Sequence, residues 1–160
     1  MVDASALVIP RFHDVLGDVM AHGHTHYWLH GGRGSTKSSF ISVCIVLLIL
    51  ANPEANAVVV RRFSNTLRDS VFQQVTWAIA ELGLERWFRA RISPMEITYL
   101  PTGQRIVFRG ADDPLKLKGV KFTRGYCAVT WFEELDQFDG IDAVRSILNS
   151  LRRGGEDFWI

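Results

Sequence analysis

One stretch constrains this chain more than any other: Tyr27-Trp28-Leu29-His30-Gly31-Gly32-Arg33-Gly34-Ser35-Thr36-Lys37-Ser38-Ser39. A short apolar run ends in a glycine-rich turn, the turn ends in Lys-Ser, and a long apolar segment follows. That order predicts a strand over Tyr27 to His30, a loop, and a helix over Lys37 to Ala51. Gly31-x-x-x-x-Thr36-Lys37-Ser38 fits a phosphate-binding loop (P-loop) at every position but one, since Thr36 stands where a second glycine is usual.

Each residue type there has a physical task. Gly31, Gly32 and Gly34 let the main chain adopt angles closed to other residues and approach a ligand closely. Successive N–H groups then turn inward as an anion nest, and the next helix adds free donors and partial positive charge. On this reading residues Gly31, Gly32, Arg33, Gly34, Ser35, Thr36, Lys37, Ser38 and Ser39 bind ATP. Lys37 reaches the β- and γ-phosphates, and the Ser38 hydroxyl holds Mg²⁺. Thr36 implies either a different loop path or a weaker site. The plain alternative is a glycine-rich turn in front of a buried helix.

A length of 160 residues suits one domain, spanning 1–160. Net charge is +1, so no global field drives the chain onto DNA or a membrane. The cations are lopsided, with 14 arginines against 4 lysines. Arginine is the better bidentate partner for phosphate, although a GC-rich genome gives the same bias. Cys44 and Cys127 lie in apolar runs and read as buried thiols in a reducing compartment. No signal peptide is visible at the N-terminus. The apolar run from Phe40 to Ala51 has 12 residues, whereas a membrane span needs about 20.

Phe12, Val15, Leu16 and Met20 are spaced as one face of a short helix. His22, His24 and His26 alternate before the loop strand and read as polar surface, with a metal cluster as the sharper alternative. Ala57 to Arg61 is a continuous apolar run suited to a central parallel strand. Ser64 or Asn65 is a candidate cap for a helix carrying Leu67, Val71, Val75, Ala78, Ile79 and Leu82, closed by Gly83. Arg86 to Arg91 is basic and aromatic. It reads as a surface turn with its aromatics packed inward, or as a contact for a nucleic-acid backbone. Glu96 to Leu100 and Arg105 to Arg109 predict a hairpin inserted at the sheet's edge. Ala111 to Arg124 reads as a polar loop, either solvated or facing DNA or a partner, and it holds Lys116, Lys118 and Lys121.

Tyr126 to Phe132 is an apolar strand that ends in Glu133-Glu134. In P-loop ATPases a carboxylate at the end of a neighbouring strand serves the Mg²⁺ shell, and a second orients or deprotonates the attacking water. That assigns the metal role to Ser38 and Glu133 and the catalytic role to Glu134. The two strands are then expected side by side. Ile141, Val144, Leu148 and Leu151 mark the buried face of a following helix, Gly154-Gly155 ends it, and Asp157 to Ile160 opens another strand. The sum is an α/β fold of P-loop NTPase type (RecA/ASCE-like). It has a mostly parallel sheet flanked by helices, with an inserted β-hairpin, and is C-terminally truncated where the chain stops in mid-sheet.

Gly31 to Ser39, Val60-Arg61-Arg62, Lys118-Gly119 and Trp131-Phe132-Glu133-Glu134-Leu135-Asp136 together resemble the large subunit of tailed-bacteriophage terminases, from about Ile9 to Ile160. The resemblance implies the N-terminal ATPase domain of a motor that uses ATP hydrolysis to move DNA into proheads. It implies Glu134, Arg33 and Lys37 as catalytic residues, with Arg33 a sensor or arginine finger for the γ-phosphate. It implies ATP and Mg²⁺ as cofactors. The implied partners are double-stranded DNA, a portal protein and a small terminase subunit, with a homo-oligomeric ring on the portal and no membrane. The implied location is the cytoplasm of an infected bacterial host. The family's coupling motif and its C-terminal nuclease domain would lie beyond Ile160. Another helicase-like nucleic-acid translocase, or a nucleotide-binding assembly module without turnover, stands as the alternative.

Overall fold

In the computed structural model, which describes residues 3–32 and 34–160, helix α1 (His13–Met20) precedes the glycine-rich loop and helix α2 (Lys37–Ala51) follows it. Strand β1 (Ala55–Arg61), helix α3 (Gln73–Glu81) and strands β2 (Phe88–Arg91), β3 (Glu96–Tyr99) and β4 (Arg105–Gly110) come next. Helix α4 (Pro114–Lys118), strand β5 (Tyr126–Phe132) and helix α5 (Ile141–Leu151) complete the order.

The sheet runs β2-β3-β4-β1-β5. β1 is parallel to β4 and to β5, whereas the β2–β3 and β3–β4 ladders are antiparallel. The sheet is therefore mixed rather than mostly parallel. Short turns join β2, β3 and β4, and short turns can join only antiparallel neighbours. The expected hairpin is present but is not wholly an edge insertion, because β4 lies against β1 inside the sheet. The Arg86–Arg91 stretch, read as a surface turn, supplies the edge strand β2.

In β1, Ala57, Val58, Val59 and Val60 are all fully buried, as a strand covered on both faces requires. Ala57 and Val59 face α1, α2 and α3; Val58 and Val60 face α4 and α5. Helix α2 is apolar all round and sits inside the first of these cores, which keeps β-branched Val43 and Val46 in a helix despite their strand propensity. Asn52 stops it by donating both its N–H and its side-chain amide to the Leu48 carbonyl, each at 3.0 Å.

Leu67, Val71, Val75, Ala78, Ile79 and Leu82 are buried as their spacing predicts, and Gly83 closes α3 at φ 68°. The cap is different. Ser64 spends its N–H and its hydroxyl on the Asp112 carboxylate, so a 3₁₀ turn (Ser64–Thr66) and a π-helical turn (Arg68–Phe72) precede α3. Within the expected loop, Asp113 accepts from the Lys116 N–H and Pro114 takes the first position of α4, a short helix that the Asp-Pro pair signals. In α1 the buried residue is Val19, while Met20 is exposed; in α5 Val144, Leu148 and Leu151 are buried but Ile141 is exposed. Cys44 and Cys127 are buried free thiols, pushed by burial up to about 12 and about 11. Among the described residues no helix is long and apolar enough to cross a membrane.

Tyr27 to His30 does not form a regular strand. The Tyr27 N–H donates to the Ile160 carbonyl at 2.7 Å, and the Ile160 N–H donates to Thr25 at 2.8 Å. Ile160 follows Trp159, which makes a single parallel bridge to Val129 of β5. The segment leading into the loop and the acid-bearing strand are thus not side by side. Trp159 and Ile160 lie between them.

Candidate active site

The described loop residues, 31–32 and 34–36, are bent as their glycines allow. Gly34 has φ 74°, in the left-handed region that a side chain disfavours. Thr36, the departure from the pattern, also has a left-handed φ of 58°. That angle is free for glycine and strained for a β-branched residue by roughly 1–3 kcal/mol. The Thr36 hydroxyl donates to the Ser35 carbonyl at 2.7 Å, and the Thr36 carbonyl accepts the first α2 bond from Phe40 at 2.9 Å. The loop therefore keeps the path that glycine normally allows, and the substitution is registered as backbone strain.

Lys37 folds back into this loop. Its ammonium donates to the Gly31 carbonyl at 2.6 Å, the Gly32 carbonyl at 3.2 Å and the Ser35 hydroxyl at 2.6 Å. All three of its protons are engaged, and the charge sits inside the turn. Ser35 is also held from outside, where the Arg11 guanidinium donates to its carbonyl at 2.6 Å. Arg11 lies over the ring of Phe12, which stacks on Phe40 of α2 at 4.6 Å. The chain before α1 thus packs on the loop, a contact the sequence reading did not assign. Arg33 lies outside the described residues.

Ser38, one residue on, donates its hydroxyl to Glu133 Oε1 at 2.8 Å. The two residues are separated by most of the chain, and this bond joins the loop to the end of β5. Burial raises the Glu133 pKa above the ordinary carboxylate range. The Ser38 hydroxyl, Arg61 and Lys37 pull it back down, and the neighbouring Glu134 charge adds to the rise. Ser38 and Glu133 offer hard oxygen donors to one small volume, a set that suits Mg²⁺.

Glu134 is turned elsewhere. Its backbone is left-handed at φ 55°, just past the last ladder bond from the Glu133 N–H to Val60, and its carboxylate pairs with Arg61. Arg61 ends β1, is nearly buried, and gives its other nitrogen to the Thr66 carbonyl at 3.3 Å. Arg61 was named from the sequence only within the Val60-Arg61-Arg62 stretch, with no role at the site. The signal was an arginine at a strand end, and the β1–β5 register, which pairs Val60 with Phe132, brings it beside the acids. Ser39 does not join the group, since its hydroxyl donates to Gln74 Oε1 of α3 at 3.1 Å.

The histidines do not gather. His24 pairs with Asp18 at 2.8 Å, and His22 reaches Asp157 at 3.4 Å and packs tilted against the Trp159 ring. Among the described residues no three His, Cys, Asp or Glu side chains are grouped to hold a metal.

A family model described as phage terminase large subunit matches residues 23–160. The terminase large subunit of Bacillus phage SPP1 is 40% identical over 144 residues, covering 90% of this chain and 34% of that protein. The PBSX phage terminase large subunit of Bacillus subtilis (strain 168) is 35% identical over 143 residues, 89% of this chain and 31% of that protein. The chain therefore spans about a third of the length of the curated relatives it matches. Among solved structures, the HK97 bacteriophage large terminase superposes with a TM-score of 0.67 at 19% identity, over 95% of this chain and 32% of that one. The N-terminal domain of the DNA packaging ATPase from bacteriophage phi29 gives 0.64 at 13% identity, over 96% and 76%. At these identities the two structures speak for the fold.

Proposed function

The chain belongs to the phage terminase large subunit family, and from that premise we propose that it is the ATP-hydrolysing domain of a DNA-packaging motor. The observation that carries this reading is the Ser38–Glu133 hydrogen bond. It brings a loop serine and a strand-end acid, the two metal-facing groups of a P-loop ATPase, within one bond of each other.

The chemistry follows from the residues. Lys37 exchanges its loop carbonyls for the β- and γ-phosphate oxygens of ATP, and backbone amides of the turn complete the cradle. Mg²⁺, held by Ser38 and Glu133, would neutralise charge on the same oxygens. Glu134 takes the proton of the attacking water as the bond to the γ-phosphorus forms and the bond to the bridging oxygen breaks, leaving ADP and phosphate. Its carboxylate must leave Arg61, or turn within that ion pair, to reach the water. Arg61 therefore holds the base between turnovers and links it to the Thr66 carbonyl ahead of α3. Arg33 remains the candidate arginine for γ-phosphate charge. In the packaging reading the partners are double-stranded DNA, a portal protein and a small terminase subunit. Subunits form a ring on the portal in the cytoplasm of an infected bacterium.

Phosphate release in the presence of Mg²⁺, duplex DNA and portal protein tests the proposal. Turnover is expected, and Ser38→Ala should lower it about tenfold or more by weakening the metal site. Binding of ATP with no phosphate release under any of these conditions would replace the motor with a nucleotide-binding assembly module.

A further inference from the structure

Consecutive residues at the start of α2, Lys37, Ser38 and Ser39, carry side-chain donors, and each donor is already committed. They differ in what a nucleotide must break to use them. Lys37 gives its protons to carbonyls and a hydroxyl of the loop itself, so its exchange stays inside the loop. Ser38 gives its proton to Glu133, but a metal ion is held by oxygen lone pairs, so that bond and the metal coexist. Ser39 gives its proton to Gln74 Oε1 at 3.1 Å, across the contact between α2 and α3. A hydroxyl has one proton, and an ionised phosphate oxygen offers only lone pairs. Ser39 therefore serves Gln74 or a phosphate, one or the other.

The two helices cannot move apart to settle this contest. Val75, next to Gln74, is fully buried, and Ala78 and Ile79 anchor the following turn in the core that also holds α2. Phe40, next to Ser39, is buried in the same core. Both partners thus stand on backbones fixed by apolar packing. Ser39 and Gln74 are themselves half-buried, so water competes poorly for the bond between them. The run into α3 also winds through the π-helical turn Arg68–Phe72 just before Gln74, a form frequent at functional sites.

We propose that Gln74 is a positioning residue that competes with the phosphates of the nucleotide for the Ser39 proton, so that the site holds nucleotide less tightly than the loop alone would. The inference rests on the ATP-binding reading of the loop. Ser39 lies in the first turn of α2, at the helix end whose free N–H groups and partial positive charge favour an anion. It follows directly on the lysine and serine assigned to phosphate and metal. Nucleotide binding then trades a hydrogen bond between α2 and α3 for one to the ligand, and departure of ADP restores it. The bond to Gln74 thereby favours product release, a step that limits turnover in many enzymes.

Equilibrium binding of a non-hydrolysable ATP analogue with Mg²⁺ to the full chain, with thermal unfolding of the same samples, tests this. Gln74→Leu keeps most of the volume and removes the acceptor. It should tighten binding by about two- to tenfold, the range of one net hydrogen bond. Gln74→Glu, a stronger acceptor, should weaken binding. In a Ser39→Ala background, Gln74→Leu should leave affinity unchanged. A purely structural contact behaves otherwise, because its loss lowers affinity and Tm together. Equal or weaker binding by Gln74→Leu overturns the competition. Weaker binding that disappears in the Ser39→Ala background would give the Gln74 amide the opposite orientation, with Nε2 donating to Ser39. A parent chain that releases phosphate from ATP but fails this pattern overturns the role of Gln74 and keeps the ATPase reading. One that shows the pattern but never releases phosphate keeps Gln74 and overturns the ATPase reading. No binding of the analogue by the parent overturns both.

Discussion

The two halves of the candidate site are built by opposite means. In the loop half, residues 31–37, the backbone is the working part. Gly34 and Thr36 hold left-handed angles, and the Lys37 side chain is folded onto main-chain carbonyls. In the acid half the side chains are the working part, although the strand ends in one left-handed residue, Glu134 at φ 55°. Glu133 is drawn to Ser38, and Glu134 is held by Arg61. A ligand entering the loop half displaces intraloop hydrogen bonds that the phosphate replaces in kind. In the acid half it must separate charged partners, and that rearrangement can be coupled to other parts of the fold. Arg61 already makes such a connection, since the guanidinium that holds Glu134 also binds the start of the helical run leading to α3.

The largest test of this division falls on Glu134. If it is the proton acceptor, Glu134→Gln should cut ATP turnover by about 10²- to 10⁴-fold while leaving nucleotide affinity, a property of the loop half, nearly unchanged. Equilibrium binding and phosphate release on the same preparation decide it. A parallel loss of both would make the two halves one binding unit and break the comparison.

A smaller effect is expected at Glu133, from pH. Its folded-state pKa is raised chiefly by burial. Protonation therefore favours the folded state, and that contribution is present below the unfolded pKa and is lost as pH rises through the raised folded value. Metal binding runs the other way, because it needs the carboxylate. The stabilisation conferred by Mg²⁺ with ATP should thus grow with pH through a range above that of an ordinary glutamate, and Glu133→Gln should flatten it. Thermal unfolding with and without Mg²⁺ and ATP across mildly acidic to neutral pH reads both. A ligand-dependent shift that is flat with pH in the parent removes Glu133 from the metal site.

The same contrast explains what could be read from the chain beforehand. The loop half is local. Gly31 to Ser39 are consecutive, and glycine, lysine and serine at that spacing record the backbone path directly. Helices α3 and α5 were equally legible, because burial on one face writes a period into the sequence, while β1 and α2 were legible as continuous apolar runs told apart by length and by the loop in front of α2. The acid half depends on pairing between distant segments. Glu133 and Glu134 were visible as a strand end, but nothing local shows that Arg61 meets Glu134, or that Trp159 and Ile160 separate the loop from β5. Strand β2 was misread for a related reason. Its Phe-Arg-Ala-Arg alternates as an edge strand does, but with one face in water the pattern is also that of a surface turn.

The smallest prediction concerns Thr36, where the loop half departs from its own pattern. If the left-handed φ of 58° is strain that a glycine would not carry, Thr36→Gly removes roughly 1–3 kcal/mol of it. It gives back about 1 kcal/mol through the greater freedom of glycine in the unfolded chain, and a similar amount for the lost hydroxyl bond to Ser35. The balance runs from about −1 to about +1 kcal/mol, a change in Tm of no more than about 2–4 °C in either direction for a chain of this size. Thr36→Val keeps the β-branched strain and loses the hydroxyl, so it should lower Tm and by more than Thr36→Gly does. The pair of variants separates conformation from hydrogen bonding at a single residue. If both lower Tm by the same amount, the hydroxyl bond rather than the backbone angle governs Thr36, and the loop half is held by its side chains after all.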